Sequence, residues 1–97
     1  MAKHKAQPLS HLLAEFLRGT EAETTLLERK VPQLWQELLG PTIAQLTGEI
    51  QVKKGVLYVH VYSAALRQQL FEQRFLLIKK LNQALATPLI NDIRLLG

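Results

Sequence analysis

Residues 50–62 read Ile-Gln-Val-Lys-Lys-Gly-Val-Leu-Tyr-Val-His-Val-Tyr, and this stretch decides the fold class. Apolar and polar residues alternate on both sides of Lys54 and Gly55, which is typical of two half-buried strands joined by a glycine-assisted turn. We expect the face that carries Leu57, Val59 and Val61 to be buried. The opposite face carries Tyr58, His60 and Tyr62. The sequence therefore predicts a β-hairpin with an apolar side that other elements must cover.

Helical periodicity precedes the hairpin. The i, i+3, i+4, i+7, i+8 spacing predicts a first helix whose apolar face is formed by Leu9, Leu12, Leu13, Phe16 and Leu17. This helix is predicted to end at Gly19, and residues 1–8 before it are interpreted as a flexible basic arm. Thr20 and Glu23 then form the T-x-x-E pattern of a capping box, which predicts the start of a second helix.

The second helix carries two prolines that predict its interruptions. We expect a break or a kink at Pro32, because proline lacks an amide hydrogen and the residue before it avoids helical geometry. Trp35 belongs to the apolar stripe and is expected to be buried against the helix that follows the hairpin. Gly40 is predicted to end the stripe with a positive φ, and Pro41 to open a short third helix.

A long helix is predicted after the hairpin, over residues 64–86. Ser63 is a suitable N-cap, and Thr87-Pro88 a suitable stop. The apolar arc of this helix is wide enough to be covered on more than one side, and it is formed by Leu66, Leu70, Phe71, Phe75, Leu77, Ile78, Leu81 and Leu85. Residues 89–96 are expected to form a closing strand. The predicted order is α-α-β-β-α-β, an α+β two-layer domain over residues 9–97 with the N-terminal helices and one long helix packed on a three-stranded sheet.

Composition removes several function classes. The chain has 97 residues, a formal net charge of +4 and no cysteine, which excludes disulfides, thiolate metal sites and cysteine nucleophiles. His4, His11 and His60 lie far apart in the predicted elements, so no metal site is expected. The phosphate-binding patterns G-x-x-x-x-G-K and G-x-G-x-x-G are missing, as is G-x-x-G. We therefore expect no enzyme activity, no cofactor, no small-molecule substrate and no membrane span, and a cytoplasmic protein.

The charge pattern raises the possibility of a nucleic-acid partner, because the basic surplus lies in the C-terminal third. Lysines at the hairpin tip supply charges for phosphates, and aromatic side chains on an open sheet face can stack on unpaired bases. The candidate residues are Lys53, Lys54, Arg67, Arg74, Lys79, Lys80, Tyr58, His60 and Tyr62. The alternative interpretation is structural: tip lysines protect a strand edge, and the aromatics are cross-strand partners. Leu76 is expected to face water among polar residues, and it is a candidate contact for a protein partner.

Several short patterns together resemble the bacterial DciA family. They are Val31-Pro32-x-x-Trp35-x-x-x-Leu39-Gly40-Pro41-x-Ile43-Ala44-x-x-Thr47, Gly55-Val56-Leu57-x-Val59-x-Val61-x-Ser63, Leu66 with Leu70, and Ile93-x-Leu95. The resemblance implies a KH-like domain without the glycine loop that grips RNA. It also implies a role in replication, in which the protein helps the replicative helicase DnaB onto DNA and contacts both. Leu66 departs from the family, which often has tryptophan there.

Three hypotheses follow. The first is a non-enzymatic replication accessory that binds single- or double-stranded DNA and the helicase. The second is a KH-like module that binds RNA, and the third is an adaptor that binds only protein.

Overall fold

The hairpin supplies two strands of a three-stranded sheet in the computed structural model, which describes residues 19–97. Strand β1 (Thr47–Lys53) pairs antiparallel with β2 (Val56–Val61), and β3 (Asp92–Leu96) pairs parallel with β2. Leu57, Val59 and Val61 are fully buried, as the alternation predicted. The α+β class and the three-stranded sheet are confirmed, while the predicted arm and first helix lie outside the described residues.

Helix α1 (Glu21–Gln45) begins with the predicted cap. The Thr20 hydroxyl accepts a hydrogen bond of 3.2 Å from the amide of Glu23. The Glu23 carboxylate accepts from the amide of Gly19 at 3.0 Å, one residue before the amide that a standard capping box would use. The Thr20 hydroxyl therefore satisfies an amide of the first helical turn, and the Glu23 carboxylate joins the residue before the cap to the helix.

The expected break at Pro32 is wrong, because α1 continues through it. Val31 and Trp35, on either side of the proline, are both buried, and their packing holds the helix in the core. The interruption lies instead at Gly40, the one residue inside α1 with non-helical dihedrals (φ 86°, ψ 170°). The positive φ predicted for Gly40 is confirmed, and Pro41 begins the last turns of α1 after it.

Trp35 joins α1 to the sheet. Its side chain is only 1% exposed, and its indole N–H donates to the Thr47 hydroxyl at 3.4 Å. That hydroxyl in turn donates to the carbonyl of Ile43 at 2.8 Å. The first residue of β1 is therefore held by a chain of hydrogen bonds to both segments of α1.

The predicted long helix is divided in two. Helix α2 (Ala64–Glu72) has Ser63 as its N-cap, as predicted, and α3 (Arg74–Leu85) follows after Gln73, whose φ is −103° and ψ is 15°. Helix α2 contacts β2 and β3, whereas α3 contacts β3 and α1, so tertiary packing redirects the chain at a residue that is neither glycine nor proline. Phe71 and Phe75 are 49% and 71% exposed, which contradicts the expectation that the whole apolar arc is covered.

The connection into β3 is fixed by one side chain. The Asn82 amide donates to the carbonyl of Ile90 at 2.9 Å, and its oxygen accepts from the amide of Ile90 at 2.8 Å. Ile90 is 1% exposed, so both backbone groups would otherwise be buried without partners. Helices α1, α2 and α3 contact the sheet or each other on the face of Leu57, Val59 and Val61, and within residues 19–97 no element covers the opposite face.

Candidate nucleic-acid interface

The open face of the sheet, here called the outer face, brings three strands together at Tyr58. In the strand register Tyr58 lies opposite Gln51 of β1 and Arg94 of β3. His60 lies opposite Leu96 of β3 on the same face. The central strand therefore presents an aromatic ring and an imidazole. Gln51 lies on one side of this pair, and Arg94 and Leu96 lie on the other.

A shallow depression of about 350 Å³ occupies this face. It is lined by Glu49, Gln51, Lys53, Tyr58, His60 and Leu96. Tyr58 and His60 are half-buried, so their rings are accessible to a flat ligand but are restrained by the strands on each side. The arrangement suits stacking of a planar group on a restrained aromatic platform.

Tyr62 belongs to the same face although it follows the last residue of β2. A Cβ added to Gly48 would collide with the Tyr62 hydroxyl and would lie 3.3 Å from Cβ of His60. Gly48 is therefore the site over which the phenol folds, next to His60. The ring is 70% exposed, which extends the aromatic surface toward the end of the sheet away from the hairpin tip.

The hairpin tip fixes the backbone from which the side chains of Lys53 and Lys54 project. Lys54 and Gly55 have φ values of 51° and 81°, as a two-residue turn with positive φ at both positions requires. The amide of Asn91 donates to the carbonyl of Gly55 at 2.7 Å, so the loop before β3 is joined to the turn. Both lysine side chains are exposed. Two cations therefore stand beside the aromatic platform on a braced turn.

Arg94 is a basic residue of this face that the sequence reasoning did not select. Its Nε donates to the Asp92 carboxylate at 3.0 Å, and its side chain is 64% exposed. This hydrogen bond is the largest cause that lowers the pKa of Asp92 below its ordinary value near 3.8, and the amide of Ile93 adds to the effect. The alternation of residues 92–96 was the available signal, because it placed Arg94 on the face opposite Ile93.

The remaining basic candidates lie elsewhere. Arg67, on α2, donates to the carbonyl of Val61 at 2.6 Å. The Arg74 guanidinium lies 4.0 Å from the ring centre of Phe71 and 4.5 Å from that of Phe75. Lys79 and Lys80 are exposed on α3, which packs on the other layer, so they do not join the outer face. Leu76 is 49% exposed, as expected, and it also lies on α3.

Within residues 19–97 no group of three histidine, aspartate or glutamate side chains could hold a metal ion. His4 and His11 lie outside the described residues. The residues that line the outer face carry rings, amides and charges, which suit stacking, hydrogen bonding and electrostatic contact. Among the described helices, none is long and apolar enough to cross a membrane.

Comparison with known families identifies the family of the chain. The model of the family described as Dna[CI] antecedent, DciA matches residues 8–95, which is nearly the whole chain. The chain belongs to the DciA family. Among curated proteins, none matches it. DciA membership supports a role like that of a replicative-helicase loader, and DciA is not known as a family of enzymes.

Proposed function

We propose that this DciA-family chain is a non-enzymatic, cytoplasmic replication accessory. In this proposal it binds single-stranded DNA on the outer face and contacts the replicative helicase DnaB to assist its loading. Family membership supports the helicase role. The observation that supports DNA binding is the register that places Tyr58 between Gln51 and Arg94, beside the depression that Lys53 also lines.

The outer face offers two kinds of contact to DNA. Tyr58 and His60 offer rings to unstacked bases, and each stacked base is typically worth about 1–3 kcal/mol without regard to its sequence. Lys53 and Lys54 offer charges to the phosphates, and each phosphate contact adds about 0.7 to the logarithmic salt slope on a single strand. Single-stranded DNA is favoured over a duplex because only unpaired bases expose their faces to a flat platform.

The fold supports the family's implied KH-like assignment. Its described elements follow the order α-β-β-α-α-β, with a mixed sheet. The G-x-x-G loop by which a KH domain clamps RNA is absent from the sequence. Contact through the outer face, where the aromatics lie, is therefore the favoured route to nucleic acid.

The test is a titration of a fluorescent oligothymidylate, followed by anisotropy at several salt concentrations. The Lys53→Gln/Lys54→Gln variant should lower the salt slope by about one to two. The matched control is Lys79→Gln/Lys80→Gln, which removes the same charge from α3 and should leave the slope unchanged. If the control variant alone lowers the slope, the phosphates bind along α3 and the outer-face site is wrong.

Tyr58→Ala should weaken binding by about 1–3 kcal/mol with little change in the salt slope. Phe75→Ala is its control, because it also removes an aromatic ring, one that is 71% exposed and lies outside the outer face. The same titration with oligouridylate separates the DNA proposal from the alternative of an RNA-binding module. No binding to either oligonucleotide at low salt would leave the alternative of a protein-binding adaptor.

The helicase part of the proposal needs its own measurement. The replicative helicase from the same cell should bind the immobilised chain in biolayer interferometry, and a helicase of unrelated sequence should not. Absence of binding at micromolar helicase would refute this part while leaving the DNA titration to stand on its own.

A further inference from the structure

The outer edge of β3 is open in the part of the chain that the structure describes. The sheet order β1-β2-β3 makes β3 an edge strand, and no strand within residues 19–97 pairs with its far side. The amide of Ile93 points to that side, because it donates to the Asp92 carboxylate at 2.8 Å. Successive residues of a parallel strand direct their backbone groups to alternate sides, so the amide of Leu95 points to the same side as the amide of Ile93.

A groove of about 510 Å³ runs between this edge and α2. Ala64, Arg67, Gln68 and Phe71 line it from the helix, and Ile93, Arg94, Leu95 and Leu96 from the strand. Phe71 is 49% exposed and Leu96 is 38% exposed, so the groove has apolar surface that nothing in residues 19–97 covers. An open strand edge beside an apolar wall is the arrangement that accepts an added strand.

The charges beside the groove are mostly positive. Arg67 stands at the end near Gly97, since a Cβ on Gly97 would lie 3.0 Å from its guanidinium. Arg94 stands on the strand, and Arg74 is close enough to lower the pKa of Asp92 through its charge. The carboxylate of Asp92 is already taken by Arg94 and by the amide of Ile93. A ligand chain with carboxylates therefore matches the groove better than a basic or neutral one.

We propose that this groove binds an extended acidic segment of a partner protein, which adds to β3 as a fourth strand. Alternate side chains of the added strand would lie on Phe71 and Leu95 and would carry carboxylates toward Arg94. A peptide fits better than a nucleic acid, because a peptide backbone can pair with the Leu95 amide and with the outward carbonyls of Ile93 and Leu95. The Ile93 amide is already held by the Asp92 carboxylate. The proposal does not rest on DNA binding by the outer face.

The probe is a fluorescein-labelled peptide of alternating glutamate and valine, about eight residues long, which matches a typical strand. Its addition to the ¹⁵N-labelled full chain should shift the amide resonances of residues 93–97 and of α2, and should leave the hairpin tip unchanged. A peptide with alternate backbone nitrogens methylated keeps every side chain but cannot complete the ladder, and it should not bind. Equal binding of the methylated peptide, or of a lysine–valine peptide, would overturn the proposal.

Two matched pairs of variants locate the site. Phe71→Ala should lower the affinity for the peptide by about tenfold or more, as loss of an apolar anchor does, whereas Phe75→Ala should leave the affinity unchanged. Arg94→Gln should weaken it several-fold, and Lys30→Gln, the same charge change on an exposed position of α1, should not. Circular dichroism melts check that all four variants fold.

Two further outcomes decide against the proposal. Displacement of the peptide by oligothymidylate, with shifts at the same amides of residues 93–97, would assign the groove to nucleic acid. The chain could also be shown by light scattering to be a dimer. If raising the protein concentration then shifts the same amide resonances of residues 93–97, the edge is assigned to a second copy of this chain. A monomer that binds the peptide in the presence of oligothymidylate supports the proposal.

Discussion

Trp35→Ala should remove a large share of the stability of this domain. The indole is 1% exposed and is among the largest fully buried side chains of residues 19–97. Truncation of a buried tryptophan to alanine typically costs about 3–5 kcal/mol, from lost transfer energy and from the cavity left behind. It also removes the donor to Thr47, whose hydroxyl keeps its bond to Ile43. We therefore expect the apolar contribution to dominate, against a total of about 5–15 kcal/mol for a domain of this kind.

Urea unfolding followed by far-ultraviolet circular dichroism measures this loss. Tryptophan fluorescence is unsuitable, because Trp35 is the only tryptophan of the chain. With a urea m-value of about 1–2 kcal/mol/M, the midpoint should fall by at least about 1.5 M. Trp35→Phe is the control, since it keeps an aromatic ring in the core but has no N–H, and it should lose clearly less. A Trp35→Ala midpoint within about 0.3 M of wild type would refute the argument, because it would mean that the indole is not part of the core.

Three further predictions concern the backbone and the strand edge. Gly40→Ala should destabilise by about 1–3 kcal/mol in the same urea assay, because φ 86° with ψ 170° is accessible only to glycine; a stabilised variant would contradict this. Asn82→Ala should lower the free energy of unfolding by about 2–4 kcal/mol, because it leaves both buried backbone groups of Ile90 without hydrogen-bond partners. Faster amide exchange at Ile90 would show this. For Asp92→Asn, the depressed carboxyl pKa gives a stability contribution that is present above the ordinary value near 3.8 and is lost as the pH falls below it. The wild type should therefore exceed the variant in melting temperature at pH 6, and the two should converge once the pH falls below the depressed pKa of Asp92.

The sheet and its buried face were predictable from the sequence because their signals are local. A strand period of two fixes which residues share a face, so the buried trio Leu57, Val59 and Val61 follows from the alternation alone. A few adjacent residues likewise suffice to predict the turn at Lys54 and Gly55 and the helix cap at Ser63. The strand order needed the parallel β2–β3 pairing, which no local pattern specifies.

The two errors in the helices have a common cause. The helix continues through Pro32 and breaks at Gln73, which is the reverse of what residue propensities predict. At both places the packing of neighbouring residues decides the backbone: Val31 and Trp35 hold α1 in the core, and α2 and α3 pack on different partners. Residue propensity predicts helix boundaries poorly where tertiary packing favours a different backbone conformation.

The candidate site was predicted in part. The aromatic residues of β2 and the lysines of the tip could be grouped in advance, because they lie on one strand and one turn. Arg94 could not be joined to them from the sequence, because that requires the register in which it lies opposite Tyr58. Conversely, charge alone makes Arg67 and Arg74 candidates, and only the structure shows that Arg67 donates to the carbonyl of Val61 and Arg74 to that of Phe71.

The topology explains why a face and an edge stay open together. A parallel β2–β3 pair cannot be joined by a short turn, so the chain must cross over one face of the sheet, and α2 and α3 form that crossover. Helix α1 packs on α3 and on β1, which adds it to the same layer. The buried apolar residues of α1, α2 and α3 therefore all pack on one face of the sheet, and within residues 19–97 no element remains to cover the other face or to pair with β3. The first place holds Tyr58 on the central strand and the second is the Ile93–Leu95 edge of β3, and Arg94 lies between them because it pairs with Tyr58.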